Sequence, residues 1–296
     1  MIRALAFALA ISAAPVFAET VTIETYTGAV DVAIGPGKIA VLDIAALDTL
    51  DALGVKVDGV VAPLFVDYVA DAVAGAENVG SLFEPDFEAL AAGGYDLLIA
   101  GGRSSKVAPD LAKIAPTIDM TIWEDTVGQG LARLEAYGKI FGKEAEAAQL
   151  AQDFNETLTR TVASLEGEGG TLIVMTNGPK VSAYGSGGRF GWLHNALGLA
   201  EAITDVEQTT HGEAISFEFI RDTDPDVLVV IDRLAAIGRD GEGAKATLDN
   251  ALVQETKAWR NGKVIYLDSA AIYIAGGGIQ AMTLTLEQFI QTFAGG

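Results

Sequence analysis

FEALAAGGYDLLIAGGR (87–103) and FEFIRDTDPDVLVVIDR (217–233) are two versions of one stretch, 130 residues apart. Phe87 pairs with Phe217, Glu88 with Glu218, Asp96 with Asp226 and Arg103 with Arg233. Each copy reads as an acidic helix start, an apolar strand and an arginine just past the strand's end. The chain therefore reads as two related lobes. In open α/β sheets, ligands bind outside the carboxyl ends of the strands. Two lobes that each offer an arginine from that edge predict an anion held in a cleft between them.

The segments around the repeat extend the pattern. Residues 21–33 alternate like a strand or hairpin, 37–43 and 57–63 read as strands, and 44–54 and 65–73 as helices. Asp86 caps the helix of the first repeat copy, 106–114 is helical up to Pro116, and 116–122 is a strand. Residues 126–141 are helical. Residues 143–166 (KEAEAAQLAQDFNETLTRTVASLE) contain no Gly or Pro and predict one long helix. At ~1.5 Å per residue it spans ~35 Å, enough to join two lobes. TLIVM (171–175) opens the second lobe, and the glycine-rich YGSGGRFG (184–191) leads into a helix ending at Gly198. Then come a helix (248–259), a strand (263–268), a loop (269–278) and an amphipathic C-terminal helix (279–293). The fold class is α/β: two lobes with mainly parallel sheets joined by one long helix. The expected boundaries are 1–18 leader, 19–142 first lobe, 143–166 inter-lobe helix and 167–296 second lobe.

MIRALAFALAISAAPVFA (1–18) has one cation, an apolar run and small residues before Glu19, the pattern of a cleavable secretory signal. The apolar stretch is shorter than the ~20 residues a spanning helix needs, which argues against an anchor. The chain has no cysteine, so it uses no disulfide and no acylated cysteine. A Gram-negative periplasm is the expected location. The net charge of −21 argues against nucleic acid and anionic membranes. It also makes the nine arginines informative, because an acidic protein that binds an anion must gather cations locally.

Arg103 and Arg233 occupy equivalent strand ends. Their plainer reading is surface arginines, but both copies of the repeat carry the charge, and the arginine fork suits oxygen-rich anions. Arg189 sits in SGGRFG, which lacks the spacing of a phosphate loop, so a plain turn stays open there. His194 lies among apolar helix residues and reads as structural. His211 lies in a polar loop, TTHGE, where a functional role competes with none. Tyr273 precedes AGGG and reads as packing or as a site residue. Glu88 and Glu218 lie at helix starts, where the dipole favours negative charge, or else meet a two-subunit partner. There is no H-E-x-x-H, G-x-S-x-G or cysteine nucleophile, and two histidines make a dedicated zinc site a poor reading.

EPDFEAL (84–90), AGGRSS (100–105), LAKIAPTI (111–118), GRFGWLHNALG (188–198), THGEAISFEFI (210–220), PDVLVVIDRLAAIG (225–238), GKVIYLD (262–268) and YIAGGG (273–278) occur in order. With them the chain resembles the periplasmic solute-binding proteins of iron–siderophore ABC importers, in particular the branch that binds ferric catecholates such as petrobactin. The likeness covers nearly all of residues 19–296. It implies a class III binding-protein fold, two lobes on one long helix with little hinge motion. It implies that Arg103, Arg189 and Arg233 contact catecholate oxygens. It also implies that His211 and Tyr273 complete the coordination of Fe³⁺ carried by a tetradentate siderophore. Glu88 and Glu218, with Glu84 as a neighbour, correspond to the glutamates that dock to the permease dimer. The expected ligand is a ferric siderophore bound by a monomer, with no cofactor and no covalent chemistry. Another iron chelate, haem or cobalamin is the rival ligand, and a siderophore-processing hydrolase is the rival class.

Overall fold

The computed structural model describes residues 19–206 and 209–293. The leader expected at 1–18 lies outside the described residues. The chain opens with a hairpin of strands β1 (Thr20–Thr25) and β2 (Gly28–Ala33), paired antiparallel. The first lobe continues with β3 (Ile39–Val41), α1 (Ile44–Ala52), β4 (Gly59–Val60), β5 (Glu77–Asn78), α2 (Phe87–Gly93) and β6 (Leu97–Ala100). A 3₁₀ turn, Gly102–Val107, runs into α3 (Ala108–Leu111), followed by β7 (Thr117–Asp119) and α4 (Thr126–Phe141). Helix α5 (Glu144–Ser164) then leads to the second lobe, and its 21 residues correspond to about 31 Å.

The second lobe contains β8 (Thr171–Asn177), β9 (Lys180–Tyr184), α6 (Trp192–Leu197), β10 (Glu213–Ile215), α7 (Phe217–Thr223) and β11 (Val227–Asp232). It continues with α8 (Arg233–Ala236), α9 (Ala244–Leu248), α10 (Ala251–Gln254), α11 (Lys257–Arg260), β12 (Val264–Tyr266), α12 (Ser269–Tyr273) and α13 (Ile279–Phe293). The first sheet has the order β5-β4-β3-β6-β7 and is parallel throughout. The second has the order β10-β9-β8-β11-β12. Its β8, β11 and β12 are parallel, while β9 and β10 are antiparallel additions.

The repeat is a structural repeat. Asp86 and Ser216 cap α2 and α7 by accepting from backbone amides of the first turn. Both helices end in a left-handed residue, Gly94 or Asp224. Asp96 then accepts from Gly37 N and Lys38 N, at 2.9 and 2.8 Å, before β3. Asp226 accepts from Gly170 N at 2.9 Å, before β8. Each repeat aspartate thus clips its strand to the loop entering the neighbouring strand.

One apolar core runs through both lobes. It joins Leu42, Leu47 and Ile99 of the first lobe to Phe154 of α5, Phe289 of α13, and Ile173, Val229 and Ile231 of the second sheet. The alternate residues Leu172, Val174, Leu228 and Val230 form a second cluster on the other face of that sheet. Gly138 of α4 lets α5 approach, since a Cβ there would meet the Cβ of Ala147 at 2.8 Å. Helix α13, counted with the second lobe by sequence, begins against the first: buried Asp48 of α1 accepts from Gln280 N (2.8 Å), Ala281 N (2.9 Å) and the Tyr68 hydroxyl (2.8 Å). Gln280 Nε2 also donates to Asp48 O and Asp51 Oδ2. Burial pushes the Asp48 carboxyl up to about 7 against these donors.

Several local expectations are corrected. Residues 65–73 form turns rather than a helix, because Phe65 takes φ 67 and Val66, Val69 and Ala72 bury with period three. The helix expected at 106–114 is split between the 3₁₀ turn and α3. That expected at 248–259 breaks at Thr256, whose side chain caps α11 by accepting from Trp259 N. Strands β9 and β10 were not anticipated, and the 269–278 loop contains the short α12.

Asp48→Ala should destabilise the protein by about 3 kcal/mol or more, because three donors, one buried and two partly buried, lose their acceptor. Urea unfolding reads this directly. The raised Asp48 pKa makes this group's stability fullest below the ordinary carboxylate range and lost as pH rises through about 7. The gap between wild type and variant should therefore be wider at about pH 5 than at about pH 8.

Candidate functional site

Each sheet changes direction at one point. In the first, β3 leads to β4 on one side while β6 pairs on the other, all parallel; in the second, β8 turns back into antiparallel β9 on one side while parallel β11 pairs on the other. Such switch points open a crevice at the carboxyl ends of the strands. Arg103 follows β6 and Arg233 follows β11, so both arginines stand at these crevices.

The backbone around them is held from several sides. Ser104 Oγ accepts from Gly101 N at 3.0 Å, and Gly102 N donates to Thr121 Oγ1 at 2.9 Å, fixing the turn that carries Arg103. Asp232 caps α8 through Ala235 N at 3.1 Å and also accepts from Ala244 N at 2.7 Å. Its own amide donates to Ser269 Oγ at 2.8 Å, which sets α12 beside Arg233. The glycine-rich segment carrying Arg189 is wound on itself, with Gly188 N bonded to Gly185 O and Gly191 N to Gly188 O, each at 2.9 Å. Glu201 clamps it by accepting from Ser186 N at 2.7 Å and Ser186 Oγ at 3.2 Å. This segment is therefore a built loop rather than a plain turn.

Three guanidinium groups meet at Tyr273. Arg103 Nη2 and Arg189 Nη2 donate to its carbonyl oxygen at 3.2 and 2.7 Å. Arg233 Nε donates to its hydroxyl at 3.4 Å. The Arg189 guanidinium stands 4.1 Å from the centre of the Tyr273 ring, and that of Arg103 at 5.6 Å. The ion pairs formed among the described residues involve none of these three arginines. Burial, with the charge of Arg103 adding to it, lowers the Arg189 pKa. Burial pushes the Tyr273 phenol up, but the Arg233 hydrogen bond and the charges of Arg189, Arg233 and Arg103 together leave it below the ordinary tyrosine value.

Behind Tyr273, Phe190 lies 6.5 Å from its ring and 4.8 Å from that of Tyr184. Tyr184 donates its hydroxyl to the carbonyl of His211 at 3.0 Å, and burial pushes its pKa up to about 12. His211 is thus tied by its backbone to the aromatic layer behind Tyr273, and the residue itself is exposed. His194 is buried, with Nδ1 bonded to Leu199 O at 3.1 Å, a structural histidine whose pKa burial lowers. Glu88 and Glu218 lie exposed in the first turns of α2 and α7, and Glu84 is exposed beside the former. A hydrogen bond from its own amide and another from Ser216 lower the Glu218 pKa.

Sequence reasoning passed over Asn177, whose Oδ1 accepts from Arg233 Nη1 at 3.4 Å. It ends β8, so the strand-end rule that picked out Arg103 would also have found it. It also passed over Glu201, which nothing in its local sequence marks. Among the described residues, no group of three His, Asp or Glu side chains is placed to hold a metal ion unaided.

Comparison with known proteins gives consistent results. A family model described as periplasmic binding protein matches residues 39–271. The petrobactin-binding protein YclQ of Bacillus subtilis is 36% identical over 262 residues, covering 86% of this chain and 81% of its own. The ferric-anguibactin-binding protein FatB of Vibrio anguillarum is 28% identical, covering 92% of this chain and 87% of its own. The crystal structure of YclQ superposes with a TM-score of 0.85, at 34% identity, over 93% of this chain and 99% of that one. That of the catecholate-siderophore binding protein VctP of Vibrio cholerae also gives 0.85, at 29% identity, over 92% and 100%.

The depressed Tyr273 phenol should be visible in an ultraviolet difference titration as a tyrosine ionising ahead of the others. Arg233→Ala, which removes the hydrogen bond to that hydroxyl, should move the early phase to higher pH. Tyr273→Phe should abolish it.

Proposed function

The chain belongs to the periplasmic binding protein family, and on that premise we propose that it captures a ferric catecholate-type siderophore in the inter-lobe cleft for delivery to an inner-membrane ABC importer. The observation that carries this reading is the meeting of three guanidinium groups, none of them in an ion pair among the described residues, in a chain of net charge −21. A ferric catecholate complex is a compact anion with paired oxygens at its surface. Arginine forks match such pairs and stay charged when partly desolvated. The relatives named for petrobactin and ferric anguibactin, and the one named for catecholate siderophores, support the same ligand class.

The ligand brings its own Fe³⁺, and the protein contributes no covalent step. Where a chelator supplies only four donors, Tyr273 and His211 complete the shell. Hard Fe³⁺ favours oxygen donors, and the arginines that lower the Tyr273 pKa make its phenolate easier to form. The antiparallel β9–β10 pair and the Tyr184 bond hold the backbone of the His211 loop in place. Glu88 and Glu218 present equivalent charges on the two lobes, a pseudo-symmetric pair suited to two equivalent permease subunits. Residues 1–18 support export to a Gram-negative periplasm, where fractionation should recover the protein as a monomer.

Fluorescence titration with a ferric tris-catecholate should show saturable binding without ligand turnover. Arg103→Ala, Arg189→Ala and Arg233→Ala should each weaken it by roughly 30-fold or more, the lower end for truncating a desolvated charged partner. Three variants that titrate like wild type would move the site elsewhere. With a tetradentate ferric chelate, an absorbance titration should show a shift of the charge-transfer band. His211→Ala with Tyr273→Phe should remove that shift while sparing hexadentate binding.

Charge reversal at both docking glutamates, Glu88→Lys with Glu218→Lys, should impair iron uptake by cells and leave siderophore affinity unchanged, because exposed charges act mainly on encounter and register. Unimpaired uptake would remove the docking role. A matching loss of affinity would assign these glutamates to the cleft.

A further inference from the structure

We propose that Phe83 is an aromatic wall of the ligand cleft, selecting chelates that carry planar aryl rings. This rests on the siderophore reading above and narrows its ligand class. Phe83 is 72% exposed, more than any other large apolar side chain among the described residues. A single exposed phenylalanine is ordinary on a protein surface. This one is distinguished by where it stands and by how firmly its backbone is held.

The Arg103 guanidinium lies 6.0 Å from the centre of the Phe83 ring and 5.6 Å from that of Tyr273. Arg103 is therefore flanked by one aromatic ring from each lobe. The turn that carries Phe83 is bonded internally: Ser81 N donates to Glu84 O at 2.9 Å, and Ser81 Oγ accepts from Glu84 N at 3.1 Å and Phe83 N at 3.4 Å. An antiparallel bridge between Gly80 and Pro85 closes its base, and Asp86 N donates to Val79 O at 2.8 Å. The preceding residue, Leu82, is buried at 3% exposure and pins the turn to the core. The chain thus fixes a ring in solvent beside a cation of the candidate site.

An aryl ring of a bound catecholate, its oxygens on Arg103, would lie against Phe83 edge-on or offset, the geometries favoured by aromatic pairs. A chelate whose donors are carboxylates or hydroxamates offers no such ring. Phe83 would then supply selectivity that the arginines alone do not, since they answer to negative oxygens of any origin.

The test is a titration of wild type, Phe83→Ala, Phe83→Leu and Phe83→Tyr with one ferric tris-catecholate, followed by intrinsic fluorescence. Because the side chain is exposed, all four proteins should melt at nearly the same temperature. Phe83→Ala and Phe83→Leu should each bind about 10-fold more weakly, and Phe83→Tyr within about twofold of wild type. Wild-type affinity in Phe83→Ala overturns the proposal. So does wild-type affinity in Phe83→Leu, which would leave bulk rather than an aromatic ring as the requirement. So does a loss in Phe83→Tyr equal to that of Phe83→Ala. Failure of wild type to bind the chelate would overturn the siderophore reading and this inference together. An unaffected Phe83→Ala beside a binding wild type overturns this inference alone.

Discussion

Three like charges from two lobes converge on one tyrosine, and the scaffold has to hold them there against their mutual repulsion. Arg103 and Arg189 share the carbonyl oxygen of Tyr273, while Arg233 reaches its hydroxyl. In water such a cluster would disperse. Here each arginine leaves from a backbone segment fixed by its own hydrogen bonds: Ser104 and Thr121 for the first, Glu201 for the second, Asp232 and Ser269 for the third. The free energy of folding is spread over these supports, so the repulsion is met by the whole fold rather than by any single contact. Preorganised positive charge of this kind lowers the reorganisation needed to receive an anion.

The lobes themselves cannot drift apart easily. A single apolar core crosses from β3 and β6 through α5 and α13 to β8 and β11. The start of α13 is also clasped to α1 by Asp48. Separating the lobes would expose this core and strand buried donors, which favours a rigid cleft over a wide hinge. A rigid cleft also keeps α2 and α7 in a constant relation to each other.

Charge is distributed to match. A net charge of −21 surrounds a pocket of three cations. The acidic exterior suppresses association with polyanions, while the cleft locally inverts the sign where an anionic ligand would be held. The same local field acts on Tyr273, drawing its phenol below the ordinary value despite burial. One arrangement thus both gathers positive charge and eases the ionisation of a phenol.

The duplicated stretch was enough to read two lobes and the strand-end positions of Arg103 and Arg233, and the flanking segments gave the α/β class and the α5 connection, because periodicity, capping residues and glycine placement are local properties written directly in the chain. Glu88 and Glu218 were paired by the same repeat and His211 stood out in its polar loop, but the roles expected of them, and of Arg189 and Tyr273, came from the likeness to a family. The sequence misread 65–73 as a helix, since its period-three burial and the left-handed Phe65 depend on what it packs against. It missed β9 and β10 because short antiparallel strands gain their stability from their neighbours, not from their own residues alone. Asn177, Glu201 and the placement of Phe83 beside Arg103 join residues from distant parts of the chain. Asp48 and Gln280 are 232 residues apart and meet only once both lobes are packed. Local chemistry determined which elements form and which side chains could bind an anion. The convergence of three arginines on Tyr273 was decided by tertiary structure alone, because long-range distance is set by the packing of the lobes and has no local signature.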